Sequence, residues 1–512
     1  MEKNESPDNA RLFSAKELKD LATPLPERII RSIRRGKLEH ALSLCEEMKE
    51  SRIVLHDILA DSSTVLWSWV GDNLGEDIIE PMFKYIFAHT AKRQMYDIEE
   101  TFRIYPRNTV SLLAESAWRS HCCFGVGEHP ASFSITEDPE KFTFHMHPCA
   151  SGGRLWLKGM YEPGRGGKLT EKAHRWSFNR KDFPYYCIHS AFLNEIVPYE
   201  EFGYPLWPTD EPQGPEDECR WNIYKDPNDI PQKYYDRLGV EKKVIPPVTI
   251  KQKKEVYFSK EELAEMAKPM TDRIREKILE KDLKEAIKLC TDVKDEFLFL
   301  HDVYLNMLVT TFTFISREAG ESMLGDALNL QFEKCISGRL LEDFERLSVR
   351  EKIEFLAIKI FGIDNCYQTG LPKGKFTIEE TDETIVFKLD PCGSGGRLLR
   401  SGAYKPQSRW KKWREGFFTA FILRLNRLFS MPESLMKKSF ADTGGFVTQR
   451  KAYDQGRTEQ AFPWSFGKKD APYYCCQCGK LQEKLGKSCL KIQPPENAGS
   501  ACIWTINKRM AS

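Results

Sequence analysis

The stretch that decides the fold occurs twice, as His147-Pro148-Cys149-Ala150-Ser151-Gly152-Gly153-Arg154-Leu155 and, 243 positions later, as Asp390-Pro391-Cys392-Gly393-Ser394-Gly395-Gly396-Arg397-Leu398. Working outward, the match continues on both sides. Upstream, Phe13-Ser14 with Glu17-Leu18 pairs with Phe258-Ser259 and Glu262-Leu263, at an offset of 245. Leu38 to Cys45 pairs with Leu283 to Cys290, and Leu55-His56-Asp57 with Leu300-His301-Asp302, at the same offset. Downstream, Trp176-Ser177-Phe178 and Lys181 to Cys187 pair with Trp464-Ser465-Phe466 and Lys469 to Cys475, at an offset of 288. Cys219 to Ile223 then pairs with Cys502 to Ile506. Self-similarity of this length reads as a tandem duplication. The growing offset places an insertion at about 405–459 of the second copy.

Each copy reads as an α-helical bundle followed by a small β-rich, cysteine-bearing module, so the expected class is α+β. The boundaries fall at 10–115 and 116–245 for the first copy, and at 255–365 and 366–512 for the second. Ile29, Ile30, Ile33, Leu38, Ala41, Leu42 and Cys45 recur at helical spacing, and Ser14 with Glu17 makes a capping box. Phe133 to Thr136 and Phe142 to Phe144 read as strands, as do Phe376 to Glu380 and Thr384 to Leu389, and Cys219 and Cys502 open closing strands. Trp176, Asp182 and their counterparts are expected to build a turn presenting a Tyr-Tyr-Cys strand. The proline- and acid-rich segment 205–246 is expected to wrap the surface. The two copies are expected to pack as an intramolecular pseudo-dimer.

Composition narrows the function. With 76 Lys+Arg against 75 Asp+Glu, the chain carries no global field to attract a phosphate backbone, which argues against a nucleic-acid partner. No stretch reads as the roughly 18–20 apolar residues that span a bilayer. The start of the chain is polar and acidic, and fifteen cysteines without an export signal suggest reduced thiols, so a cytoplasmic location is expected. Within the insertion, 408–440 holds eight Lys/Arg against two Glu, interleaved with Trp410, Trp413, Phe417, Phe418 and Phe421. It reads first as a surface helix on its parent domain. The alternative is a peripheral contact with a membrane or a protein partner.

Chemistry gathers on cysteine. Cys45 and Cys290 lie on an apolar helix face and read as core, as do Cys123 and Cys366. Thiolate and imidazole side chains suit zinc or iron. The first copy would offer Cys149, Cys187 and His189. The second would offer Cys392, Cys475 and Cys478, with Cys476 a competitor for the last place. Cys219 and Cys502 are fourth-ligand candidates, and if they face the core each metal keeps an open, catalytic position. The loop Gly393-Ser394-Gly395-Gly396 reads either as a tight turn or as a cradle aiming N–H groups at an anionic ligand or cofactor. Arg154 and Arg397 would then clamp a small anionic or acyl substrate. His56 and His301, each followed by Asp, read as core or capping residues, or as bases for a cysteine nucleophile such as Cys392. No phosphate-binding or dinucleotide-binding glycine motif and no His-Glu-x-x-His occurs.

Three functions follow: a thiolate-ligated metalloenzyme acting as hydrolase or lyase, a scaffold braced by structural zinc, or a metal-free thiol nucleophile or redox protein. His189 facing Gln477 and Ser190 facing Cys478 across the match point to one working site and one retained for structure.

Overall fold

The computed structural model describes residues 11–90, 106–114, 119, 128–246, 255–336, 344, 346–361, 374–405, 454–486 and 490–510. Cys123, Cys366 and the basic segment 408–440 lie outside the described residues.

The chain is α+β, with helices set against two antiparallel four-stranded sheets. Helices α1 (Ala15–Leu21), α2 (Leu25–Arg34), α3 (Leu38–Leu74) and α4 (Ile79–Thr90) open the N-terminal half. Strands β1 (Phe133–Glu137) and β2 (Lys141–Met146) lead into the short helix α5 (Gly152–Leu157). Strands β3 (Thr209–Asp210) and β4 (Cys219–Tyr224) and helix α6 (Gln232–Leu238) close that half. The C-terminal half runs α7 (Lys260–Ala267), α8 (Met270–Leu279), α9 (Leu283–Ala319) and α10 (Glu321–Gln331), then β5 (Lys375–Glu380), β6 (Thr384–Asp390) and α11 (Gly395–Ser401). It ends with α12 (Cys476–Leu485), β7 (Leu490–Gln493) and β8 (Cys502–Asn507). The sheets share one order, β1-β2-β4-β3 and β5-β6-β8-β7. Each of α3 and α9 has 37 residues and stops at a glycine in a left-handed turn, Gly75 at φ 88° and Gly320 at φ 89°.

The halves interlock by exchanging their first helices. Ser14 and Glu17 make the capping box of α1, and Ser259 and Glu262 that of α7. The chain entering α1 docks on the sheet of the other half, where the Leu12 and Phe13 N–H groups donate to the Glu380 carboxylate at 2.7 and 3.0 Å. The chain entering α7 does the same on the first sheet, Tyr257 and Phe258 donating to Glu137 at 2.8 and 3.0 Å. Phe13 is buried among Phe376, Ile378 and Phe387, and Phe258 among Phe142, Phe144 and Trp221. Each ring contributes about 2 kcal/mol to the exchange. A four-helix layer joins α2, α3, α8 and α9 through Ile29, Cys45, Ile274 and Cys290. Burial pushes the Cys45 thiol up to about 12, as befits a core residue. The central core gathers Trp67, Phe83, Phe312, Ile315, Trp176 and Trp464 from both halves.

Three expectations need correction. Helix α9 is long and apolar enough to cross a membrane by length and composition, although 94% of its apolar window is buried inside the protein. It is the core helix that its neighbours α3, α8 and α10 cover. The segment 205–246 does more than wrap the surface: it supplies β3, β4 and α6, because Trp207, Trp221, Tyr234 and Tyr235 give it a core of its own. The Tyr-Tyr-Cys segments are single 3-10 turns leading into helix, not strands. Pro184 and Pro472, both at φ −60°, start the turn, and the residues after them continue as helix.

Candidate thiol sites

Strand β2 delivers Cys149 to the loop before α5, and β4 begins with Cys219 opposite Met146. The helical segment behind Pro184 brings Cys187 to the same place. The C-terminal half repeats this with Cys392 after β6, Cys502 opposite Leu389, and Cys475 and Cys478 at the start of α12. Three residues apart on a helix, Cys475 and Cys478 share a face.

The sulfurs of each half influence one another electrostatically. The neighbouring Cys392 thiol together with burial pushes the Cys502 thiol well above its usual range. Cys475 and Cys478 are near enough to raise it further. Burial and then Cys392, Cys478 and Cys476 likewise raise Cys475. In the N-terminal half burial and then Cys149 raise Cys187, and burial followed by Cys149 and Cys187 raises Cys219. Glycine makes this approach feasible. A methyl carbon on Gly152 would fall 2.5 Å from Cys187 Sγ, and one on Gly395 would fall 2.6 Å from Cys475 Sγ. The N–H groups of Gly153 and Gly396 donate to Cys149 Sγ and Cys392 Sγ, each at 3.0 Å. The glycine loop thus directs these donors at its own cysteine. Its serine, Ser394, meets His301 Nε2 at 3.2 Å.

The remaining ligand candidates separate. Cys476 turns away, its thiol facing the Pro472 carbonyl at 3.5 Å. His189 Nδ1–H donates to the Tyr186 carbonyl at 2.5 Å, which leaves the lone pair on Nε2, and burial pushes the ring down to about 4. Gln477 is held by Gln331 and the Tyr474 carbonyl. Ser190 stands three residues after Cys187, where the other half has Cys478. Among the described residues, no three His, Cys, Asp or Glu side chains stand in ready metal-ligating geometry. The Tyr404 hydroxyl is buried, with no hydrogen-bond partner among the described residues, and lies within electrostatic reach of Cys475 and Cys476.

Arg154 and Arg397 each pair with a carboxylate. Both pairs are bidentate, Arg154 with Asp57 at 2.9 and 3.1 Å and Arg397 with Asp302 at 2.9 and 3.0 Å. Sequence spacing places arginine and aspartate on separate elements and gives no sign that they meet. Burial works against the Asp57 charge, but His56, Arg154 and Lys158 outweigh it and hold the carboxyl well below the usual range. The histidines reach the serines of the two loops. His56 Nδ1 meets Asp57 at 3.0 Å and its Nε2 meets Ser151 Oγ at 3.0 Å. His301 meets Asp302 and Ser394, both at 3.2 Å. Burial pushes the His56 imidazole down, so its neutral form dominates near pH 7.

One residue outside the sequence reading completes the N-terminal site. Tyr304, from α9 of the other half, meets Ser151 Oγ at 2.9 Å, Tyr186 OH at 2.6 Å and His56 Nε2 at 3.3 Å. The matched position 245 residues earlier is Leu59, so the repeat passes Tyr304 over. A small, open cavity is lined by Cys149, Ser151, Cys187, His189, Ser190 and Cys219. Met146, Trp156, Phe178, Phe183 and Trp221 form its apolar wall, with Glu211 and Asp217 among its polar residues. Among the described residues, no Lys or Arg lines it.

Comparison with family models, with curated proteins and with solved structures finds no match.

Proposed function

We propose that the chain is a tandem duplication that binds zinc or iron through thiolates and works as a hydrolase or lyase at its N-terminal site. The observation that carries this reading is the pair of glycines at 152 and 395, where a side chain would strike Cys187 Sγ and Cys475 Sγ, with Cys149 Sγ 3.7 Å from the first of these positions. Four thiols at one place suit a closed, structural site. The N-terminal half offers three, Cys149, Cys187 and Cys219, with Ser190 in the fourth place beside the cavity. A metal held there keeps a position open for substrate or water, which is what Lewis-acid catalysis needs. His189 is a lining residue with a free lone pair and a second candidate for the fourth place.

The protonated, burial-raised thiols favour metal over a metal-free nucleophile, because a reactive cysteine needs a lowered pKa. Binding would release their protons and draw the sulfurs together. The buried Tyr404 hydroxyl would then have a thiolate to donate to. An anionic substrate loses its clamp, since both arginines are engaged, and the cavity wall suits a small neutral acyl compound better. Free thiols fit a reducing compartment such as the cytoplasm. The exchanged first helices fit two copies packed as an intramolecular pseudo-dimer.

The test is elemental analysis of the purified chain and of Cys187→Ser and Cys475→Ser. The reading expects close to two metal equivalents per chain, with each substitution removing one. Protein that carries no metal after reconstitution under reducing conditions would end it.

A further inference from the structure

We propose that Ser151, with His56 as its base and Asp57 behind it, is a nucleophile that transfers a small neutral acyl group in the N-terminal cavity. The inference does not depend on a metal. Ser151 lines the cavity, and the chain behind it runs Oγ to His56 Nε2 at 3.0 Å and His56 Nδ1 to Asp57 Oδ1 at 3.0 Å. These lengths lie within the range of a nucleophile, its base and an orienting carboxylate. The protonation states also suit the task. The imidazole is neutral and able to accept a proton, while Arg154 and Lys158 keep Asp57 ionised. Ser151 stands in the loop between strand β2 and helix α5, and its hydroxyl is held between His56 and Tyr304. The second half repeats the arrangement in Ser394, His301 and Asp302, so the arrangement is more than one side chain's accident. Tyr304 distinguishes the first. Its hydroxyl, 2.9 Å from Ser151 Oγ and braced by Tyr186, can donate to an oxyanion formed beside the serine.

The step balances without a further reagent. Ser151 Oγ bonds to the carbonyl carbon of an ester while its proton passes to His56 Nε2. The carbonyl π pair moves to oxygen, which Tyr304 meets with its O–H. When that pair returns, the bond to the alkoxide breaks and His56 gives the leaving oxygen its proton. Water then repeats the sequence on the acyl-serine, releasing the acid and restoring Ser151. The apolar wall of Met146, Trp156, Phe178 and Trp221 suits an aromatic or branched acyl group.

The experiment treats the full chain with a small alkyl fluorophosphonate, before and after metal chelation, and maps the adduct by peptide mass spectrometry. The expected result is an adduct on Ser151 in both conditions, absent in Ser151→Ala. Labelling should slow by about 100-fold in His56→Gln, the usual weight of a general base. Tyr304→Phe, which keeps the packing, should slow it about tenfold and serves if His56→Gln fails to fold. An unlabelled Ser151, or labelling indifferent to both variants, overturns the proposal. Labelling that persists in protein shown to bind no metal would end the metal reading and leave this one standing. Bound metal with an inert Ser151 would do the reverse.

Discussion

Three residues beyond Cys475 stands Cys478; three beyond Cys187 stands Ser190, and this single exchange of sulfur for oxygen orders the other differences between the halves. In the half that carries Cys478, the neighbouring Gln477 is tied to Gln331 and to the backbone. In the half that carries Ser190, the equivalent His189 lines a cavity, and Tyr304 reaches in from the opposite half. The glycine loop, the arginine–aspartate pair and the histidine–serine contact are the same in both. What the halves share is therefore the apparatus that places sulfur, and what differs is what stands around it.

The largest expected effect tests the shared apparatus. Asp57→Ala leaves Arg154, 2% exposed, without its carboxylate, and stability should fall by about 3–5 kcal/mol in denaturant titration. Asp302→Ala should cost a similar amount through Arg397. A loss confined to one half would show that the two clamps are not equivalent. Next, Gly395→Ala would set a carbon 2.6 Å from Cys475 Sγ. The overpacking should cost up to about 3 kcal/mol and displace the metal of the C-terminal site alone. Gly152→Ala should do the same to the N-terminal site.

Acid should separate the halves less strongly. His189 is held neutral down to about 4, against about 6.5 in the unfolded chain. The unfolded state therefore takes up the proton first, and stability present above about pH 6.5 is lost as pH falls toward 4. The ring lines an open cavity, so the loss is nearer about 2 kcal/mol than the full shift would give. His189→Gln should abolish it, and Gln477 gives the other half no such term. Asp61, pushed up to about 7 by burial and by Asp57, acts in the opposite sense, losing stability as pH rises from 4 to 7. Asp61→Asn should therefore steepen the acid slope in a pH series of urea melts. The smallest effect is the most informative about the comparison. Ser190→Cys should give the N-terminal site a fourth thiolate and slow chelator removal of its metal by about tenfold or more, roughly 1.4 kcal/mol in affinity.

How much of this was legible follows from what repeats. The doubled Cys-x-Ser-Gly-Gly-Arg loop pointed to both candidate sites, because each residue there has a partner at a fixed distance. The strands were readable from β-branched and aromatic runs. The helix behind Tyr-Tyr-Cys was missed because a proline-led 3-10 turn resembles a strand in composition. The partners of Arg154 and His56 were not legible for one physical reason: which residue a side chain meets depends on which elements pack together, and sequence spacing does not carry that. Tyr304 was invisible for the opposite reason, being a residue without a counterpart. The exchange of the first helices was equally hidden, since Phe13 and Phe258 look alike whichever sheet buries them.

The central claim is that the two sulfur sets hold metal and differ by one ligand. X-ray absorption at the metal edge of the reconstituted chain tests it most directly. The account expects a sulfur shell at about 2.3 Å for zinc, with between three and four sulfurs per metal on average, rising in Ser190→Cys and falling in Cys478→Ser. A shell of nitrogen and oxygen alone, or a sulfur number indifferent to both substitutions, would contradict it.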